Sequence, residues 1–436
     1  MKRILIIAVV AFCQSVFSQD AMTFQNCLDL ALKNNLDLKS AILNEQNASY
    51  QYKASYGQIL PNIYGQAENR NTWGREIDQA TNTYVAEALR NVTGSVNAQF
   101  NLFSGFETIN IIKANKQEVK ISQANVQRVR NFITIDLAQK FITILYLQEI
   151  ILANQSQIQS SEKQVELADL KFNSGVISES EVFKVKSQKA TEELILLTNQ
   201  NNLTDNLISL KQLMNMPMEK EIILLKPELN LDKNVLLEED QFSLTNKAVQ
   251  LHPALMMSLF EEKKSRAELG IARASRYPTL GMRLSYASNY SDRRLNPLED
   301  QFNENLVRGI RFNLVIPIFN QFEDFAKIKA IKTEYAQSKL NTQITINQLS
   351  KEVLKAITDT KTSIKKNESS SIAYEFSKKS YDADELKFQL GKININELNT
   401  TKMTYNNSQA ELIQSKYELL FNNALIKFYL GEEFSL

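Results

Sequence analysis

The chain has 436 residues, of which 50 are basic, 49 acidic and one is histidine, with only 11 glycines and 7 prolines. Glycine and proline run at well under half their usual shares of about 7% and 5%, and turns depend on both, so the sequence excludes a set of compact domains built from short elements. The near-zero charge leaves no footprint for nucleic acid, the lone His252 excludes a histidine triad or a multi-histidine metal site, and Cys13 and Cys27 make no disulfide framework.

Residues 1–18 read as a secretory signal peptide: Lys2 and Arg3, an apolar stretch over 4–12, then Val16 and Ser18 ahead of Gln19. Cys13 raises lipidation, but bulky Phe12 stands where a small residue should precede a lipidated cysteine. No later segment approaches the 18 or so apolar residues of a membrane helix, so any membrane passage must be made by β-strands. Residues 19–60 predict opening helices that end at Pro61, and 61–105 a β-hairpin. Within it NIYGQAENRNTW (62–73) alternates weakly. VNAQFNLF (96–103) alternates clearly; Trp73 ends the first strand beside Gly74, as a membrane-interface anchor or an ordinary loop aromatic, and 74–92 reads as an extracellular loop.

Residues 106–216 predict a long helical hairpin. Ile112, Val119, Val126 and Ile133 recur every seven residues, as do Leu137, Ile144, Ile151, Ile158, Val165 and Phe172. Such spacing keeps one narrow stripe against a partner helix, as in a coiled coil. At 1.5 Å per residue the first arm would extend about 100 Å. Gly175 then permits a sharp reversal. Residues 217–246 read as a linker packed outside the helices, and 247–277 as a second pair of opening helices turning at His252 and Pro253. Residues 278–321 predict a second β-hairpin, with strands LGMRLSYA (280–287) and GIRFNLVIP (309–317) and an extracellular loop at 291–305. Residues 322–430 predict a second long hairpin turning at Gly391, and 431–436 a tail. Each strand has an apolar and a polar face, as in a membrane barrel with a wet lumen or in a sheet half-buried in a soluble domain. Four strands cannot close a barrel, so a barrel would need strands from other chains.

The chain repeats itself. At an offset of 217, Ala31, Leu38, Glu45 and Pro61 meet Ala248, Leu255, Glu262 and Pro278. At 216, FSGFE (103–107) meets FNQFE (319–323), LKFNSG (170–175) meets LKFQLG (386–391), and Glu181 meets Glu397. CLDLALKNNLDLKSA (27–41), a helix ending in a proline that opens a strand (YGQILPNI, 56–63; SRYPTL, 275–280), the LFSGFE corner (102–107), and the turns LKFNSGVISESEV (170–182) and LKFQLGKININEL (386–398) follow in order. Together they resemble the TolC family of outer-membrane efflux proteins over essentially the whole mature chain.

The resemblance implies a mainly α fold with a small β part. Duplicated coiled-coil hairpins would form a trimeric α-barrel, and four strands per chain would join one shared 12-stranded membrane β-barrel. It implies a homotrimer in the outer membrane of a Gram-negative bacterium, in contact with outer-membrane lipid and extending into the periplasm. It also implies a passive conduit in a tripartite export system, served by an inner-membrane pump through a periplasmic adaptor (membrane fusion) protein. It implies no enzyme activity, cofactor, metal or nucleic acid. The tunnel by itself does not separate drug efflux from type I protein secretion or metal export. A soluble periplasmic coiled-coil scaffold or tether without a pore is the competing reading.

The family narrows its periplasmic entrance with acids after the tip glycines. By resemblance Glu181 and Glu397 would line that constriction, where a ring of carboxylates attracts cations; each is otherwise a solvated helix residue. Thr400 stands where the family often has a second acid. Phe388 and Ile393 stand where some members have a Tyr and an Arg, so closure would rest on packing of Phe172 and Phe388, which otherwise are coiled-coil core. The tips, with Gly175, Val176 and Ile177 in one half and Gly391, Lys392 and Ile393 in the other, would contact the adaptor, or else serve as simple loops.

Overall fold

In a computed structural model the described residues are 21–78, 82–86, 88–227 and 240–436. The signal-peptide and lipidation readings, at 1–18 and Cys13, lie outside them. In chain order the elements are β1 (Ala21–Met22), α1 (Phe24–Asn34), α2 (Leu36–Gly57), β2 (Asn62–Thr72), β3 (Glu76–Asp78), β4 (Thr83–Val85), β5 (Leu89–Ser104), α3 (Glu107–Asn173) and α4 (Glu179–Leu213). Then come β6 (Ile223–Leu224), α5 (Gln241–Leu251), α6 (Pro253–Ala274), β7 (Thr279–Ser291), α7 (Leu298–Glu304), β8 (Val307–Val315), α8 (Glu323–Gln389) and α9 (Ile395–Tyr429). None of the described helices is long and apolar enough to cross a membrane. The chain forms two units, one from the described residues of 1–41, 126–253 and 346–436, the other from those of 42–125 and 254–345.

In the first unit a single side chain organises the opening helices. Buried Asn35 ends α1 and caps α2: its Oδ1 accepts from the amides of Asp37 (2.9 Å) and Leu38 (3.1 Å), which satisfies donors that every helix N-terminus leaves open. Its Nδ2 donates to the Leu213 carbonyl at 3.1 Å, tying α1 to the end of α4. Phe24 meets Phe141 edge-on at 5.6 Å. Residues 431–436, expected as a tail, instead deliver a buried Phe434 onto Phe24, Phe421 and Phe428.

The expected linker 217–246 is more structured than its composition suggests. β6 pairs in parallel with β1, Ala21 opposite Ile223 and Met22 opposite Leu224. α5 begins at Gln241, six residues before the expected second opening helix, because the Asp240 carboxylate caps it by accepting from the Ser243 amide at 3.1 Å. Residues 228–239 lie outside the described chain.

Of the two seven-residue series on α3, the first is half-buried at Ile112, Val119 and Val126 and buried at Ile133; the second is buried at Leu137, Ile144 and Ile151, half-buried at Ile158 and Val165, and exposed at Phe172. A seven-residue repeat on a straight helix drifts about 20° per heptad, so a series that faces the core at Ile144 has turned outward by Phe172.

In the second unit the sheet order is β2-β5-β7-β8, every neighbour antiparallel. Ile63, Ala98, Leu284 and Ile310 form one cross-strand row and Tyr64, Asn97, Ser285 and Gly309 the next. Successive rows point to opposite faces, so the sheet has the apolar and polar faces that alternation predicted. The strands are longer than expected: β5 starts at Leu89, and β7 runs to Ser291. Their polar ends, such as Asn91 and Thr93, join the ladder through backbone pairing that carries no alternation signal. The 74–92 loop contains the β3–β4 ladder. The 291–305 loop contains α7, whose buried Gln301 accepts from the Ser291 amide (3.0 Å) and donates to the Asn296 carbonyl (2.8 Å). Gly105 makes the corner from β5 to α3 at φ +61°, where a Cβ would approach the Ala274 carbonyl oxygen to 2.6 Å; only glycine fits there.

Candidate functional site: the hairpin tips

Each long hairpin reverses by the same backbone device. At the first tip Gly175 has φ +72°, its amide bonds the Phe172 carbonyl (2.8 Å), and the Val176 amide bonds the Lys171 carbonyl (2.9 Å). At the second, Gly391 has φ +72°, with Gly391 amide to Phe388 carbonyl at 3.0 Å and Lys392 amide to Lys387 carbonyl at 2.8 Å. These crossed bonds close the last turn of α3 and α8 in a Schellman motif, which needs a left-handed residue at the glycine.

The two acids are engaged locally before they can act on anything else. Both occupy the third position of their helix. Glu181 Oε2 accepts from the Ser178 backbone amide at 3.0 Å. Glu397 Oε1 accepts from Asn394 Nδ2 at 2.8 Å, while Asn394 Oδ1 accepts from the Glu397 amide at 3.0 Å. A carboxylate there is also favoured by the helix dipole. Both nevertheless line one cavity of about 370 Å³ between the tips, together with Lys171, Ile177, Phe388, Gly391, Lys392 and Ile393. Within one chain, two carboxylates therefore share the cavity with two ammonium groups.

The two phenylalanines differ. Phe388 is 4% exposed and packs with Ala168, Val182, Val185, Ile395 and Leu398. Lys171 lies over its ring, 4.2 Å from the centroid, and donates to its carbonyl at 2.7 Å. Phe172 is 41% exposed. The structure thus brings Glu181, Glu397 and Phe388 to one place and leaves Phe172 on the surface. Val176 and Lys392 are exposed, and Ile177 and Ile393 half-buried against the tip core.

Sequence reading missed a polar junction in the same helices. Lys402 of α9, 1% exposed, pairs with Glu192 of α4, 3% exposed, at 3.0 Å. The Lys402 ammonium also donates to Ser161, and Ser161 donates to Glu192. Gln164 Nε2 donates to the Tyr381 hydroxyl at 3.0 Å, and Tyr381 stacks on Tyr405 at 5.3 Å with their rings 3° from parallel. Gln164 Oε1 also accepts from Lys402 at 3.5 Å, so four helices, α3, α4, α8 and α9, meet in one buried polar network around this charge pair. Burial pushes the Lys402 ammonium below the ordinary lysine range, against the pull of Glu192. Burial likewise raises the Tyr381 and Tyr405 phenols to about 12.

The fold of the chain is repeated in known proteins. The chain superposes on the outer membrane channel CmeC of Campylobacter jejuni with a TM-score of 0.81, at 18% identity over 95% of this chain and 87% of that one. It superposes on the outer membrane protein VceC of Vibrio cholerae, also at 0.81, with 16% identity over 94% of this chain and 97% of that one. At such identities the likeness shows the fold. None of the curated proteins matches the sequence. The outer membrane efflux protein family matches residues 27–216 and 244–432, one stretch for each half of the repeat. That match sets aside a scaffold without a pore. The chain belongs to the outer membrane efflux protein family and is an outer-membrane efflux channel of the tripartite kind, seated in the outer membrane of a Gram-negative bacterium and extending into the periplasm.

Proposed function

We propose that three copies of the chain close one twelve-stranded barrel and form a passive conduit, to which an inner-membrane pump delivers substrates through a periplasmic adaptor. One observation carries the reading: β2 and β8 each have a partner on one side only, at the two edges of a four-stranded sheet. Long open edges invite further pairing. The apolar face beside them is open as well, with Ile310 69% and Phe312 63% exposed, as lipid contact requires. Pairing β8 of one copy with β2 of the next removes every edge. The conduit performs no chemistry of its own.

The tips would form the periplasmic entrance, with Glu181 and Glu397 in its wall, Phe388 packed behind them and Phe172 facing a neighbouring copy. Val176, Ile177, Lys392 and Ile393, beside the two glycines, would meet the adaptor. Detergent-solubilised protein should crosslink as a trimer and conduct ions in planar bilayers; a monomer soluble without detergent overturns the reading. Replacing Glu181 and Glu397 together by Gln should lower the cation preference of that conductance, and unchanged selectivity would remove the acids from the entrance.

A further inference from the structure

The polar face of the sheet carries an arrangement that neither its strand geometry nor its stability requires. The ladder places Asn62 opposite Gln99, Gln99 opposite Arg283, and Arg283 opposite Arg311, in one row across all four strands. Two like charges directly opposite on neighbouring strands destabilise an antiparallel pair. No carboxylate in the row offsets them. Among the described residues Arg283 Nη2 donates to the Gln99 amide oxygen, at 3.4 Å. The rows on either side are also without acid: Tyr64, Asn97, Ser285 and Gly309 on one side, Asn101, Gly281 and Asn313 on the other. The remaining charged strand residues of this face, Glu68 and Arg70, are of opposite sign and lie towards the far end of β2. Both arginines are exposed.

We propose that Arg283 and Arg311 form a cationic belt in the barrel wall that sets the ion preference of this part of the conduit and favours solutes carrying oxyanions, carboxylate or phosphate. This rests on the channel reading, which turns the polar face towards water; each further copy of the chain adds another pair of guanidinium groups at the same level. In a narrow lumen with low-dielectric walls such a belt concentrates anions. Guanidinium groups also present paired N–H donors that match an oxyanion. The belt opposes in sign the carboxylates at the hairpin tips, so the two can be told apart by the direction in which their removal shifts selectivity.

The test is the reversal potential of the full-length protein in planar bilayers under a potassium chloride gradient. Replacing Arg283→Gln and Arg311→Gln together should lower the chloride-to-potassium permeability ratio by about two-fold or more, while Arg283→Lys with Arg311→Lys should hold it near wild type. A conducting Gln variant with the wild-type reversal potential overturns the belt alone. So does a Lys variant that loses the preference as fully as the Gln variant, because shape rather than charge would then be at work. A wild-type protein that conducts nothing overturns the channel reading and the belt with it.

Discussion

Lys402 and Glu192 are enclosed where a coiled-coil seam would ordinarily carry apolar side chains. A buried ion pair adds little net stability over hydrophobic residues of similar volume, but removing one partner strands the other. Replacing Lys402 with Met alone should therefore lower unfolding stability by about 3–5 kcal/mol. Adding Glu192→Leu should restore most of that loss, and urea unfolding of the purified protein followed by circular dichroism measures both. A single variant as stable as wild type would mean that Glu192 finds water or another donor. The sequence gives no warning of this junction. Ser161, Gln164, Glu192 and Lys402 break the apolar period that reveals a seam, and Lys402 and Glu192 stand 210 positions apart. Glu181 and Glu397 were legible because the repeat aligns them. Their use as caps leaves a fainter mark: Ser178 and Asn394, three positions before each, are residue types that cap helices.

The elements most open to reading were those whose pattern is periodic. The helices α3 and α8, free of glycine and proline, follow from the sequence almost to the residue, and so do the glycine turns. The stretches held by tertiary contacts were harder to read. β1 and β6 are two residues each, too short to show alternation, and exist because each supplies the other's hydrogen bonds. The attachment of this segment has a second anchor on α3. Burial raises the Glu149 carboxyl, but hydrogen bonds from Lys226 (2.8 Å) and Tyr417 (2.8 Å) and the charge of Lys416 outweigh it and hold the group below its usual range. A carboxylate depressed in the fold stabilises it above the unfolded value of about 4.3 and loses that contribution as pH falls through the folded value. Amide exchange at Ile223 and Leu224, corrected for its intrinsic pH dependence, should therefore accelerate in that acid window. Glu149→Gln should show the faster exchange already at neutral pH; equal protection in variant and wild type would break the link.

For the whole molecule, duplication has preserved size more faithfully than identity. α3 and α8 are both 67 residues long, and α4 and α9 both 35, although few side chains still agree between the halves. The contacts between hairpins explain the constraint. Lys171 meets Phe388, Gln164 meets Tyr381, and Glu192 meets Lys402, all of which require the two tips to end level. Removing one heptad from both arms of the first hairpin alone would displace its tip by about 10 Å and part every one of these pairs. Such a variant should unfold earlier in urea than wild type, whereas removing a heptad from all four arms should leave its midpoint close to wild type. If the one-sided deletion is tolerated equally well, the hairpins are not in register with each other. Reach is a property of the two halves jointly: the protein can be lengthened or shortened only by altering both copies of its repeat together, and a change in one copy alone costs the fold its level tips.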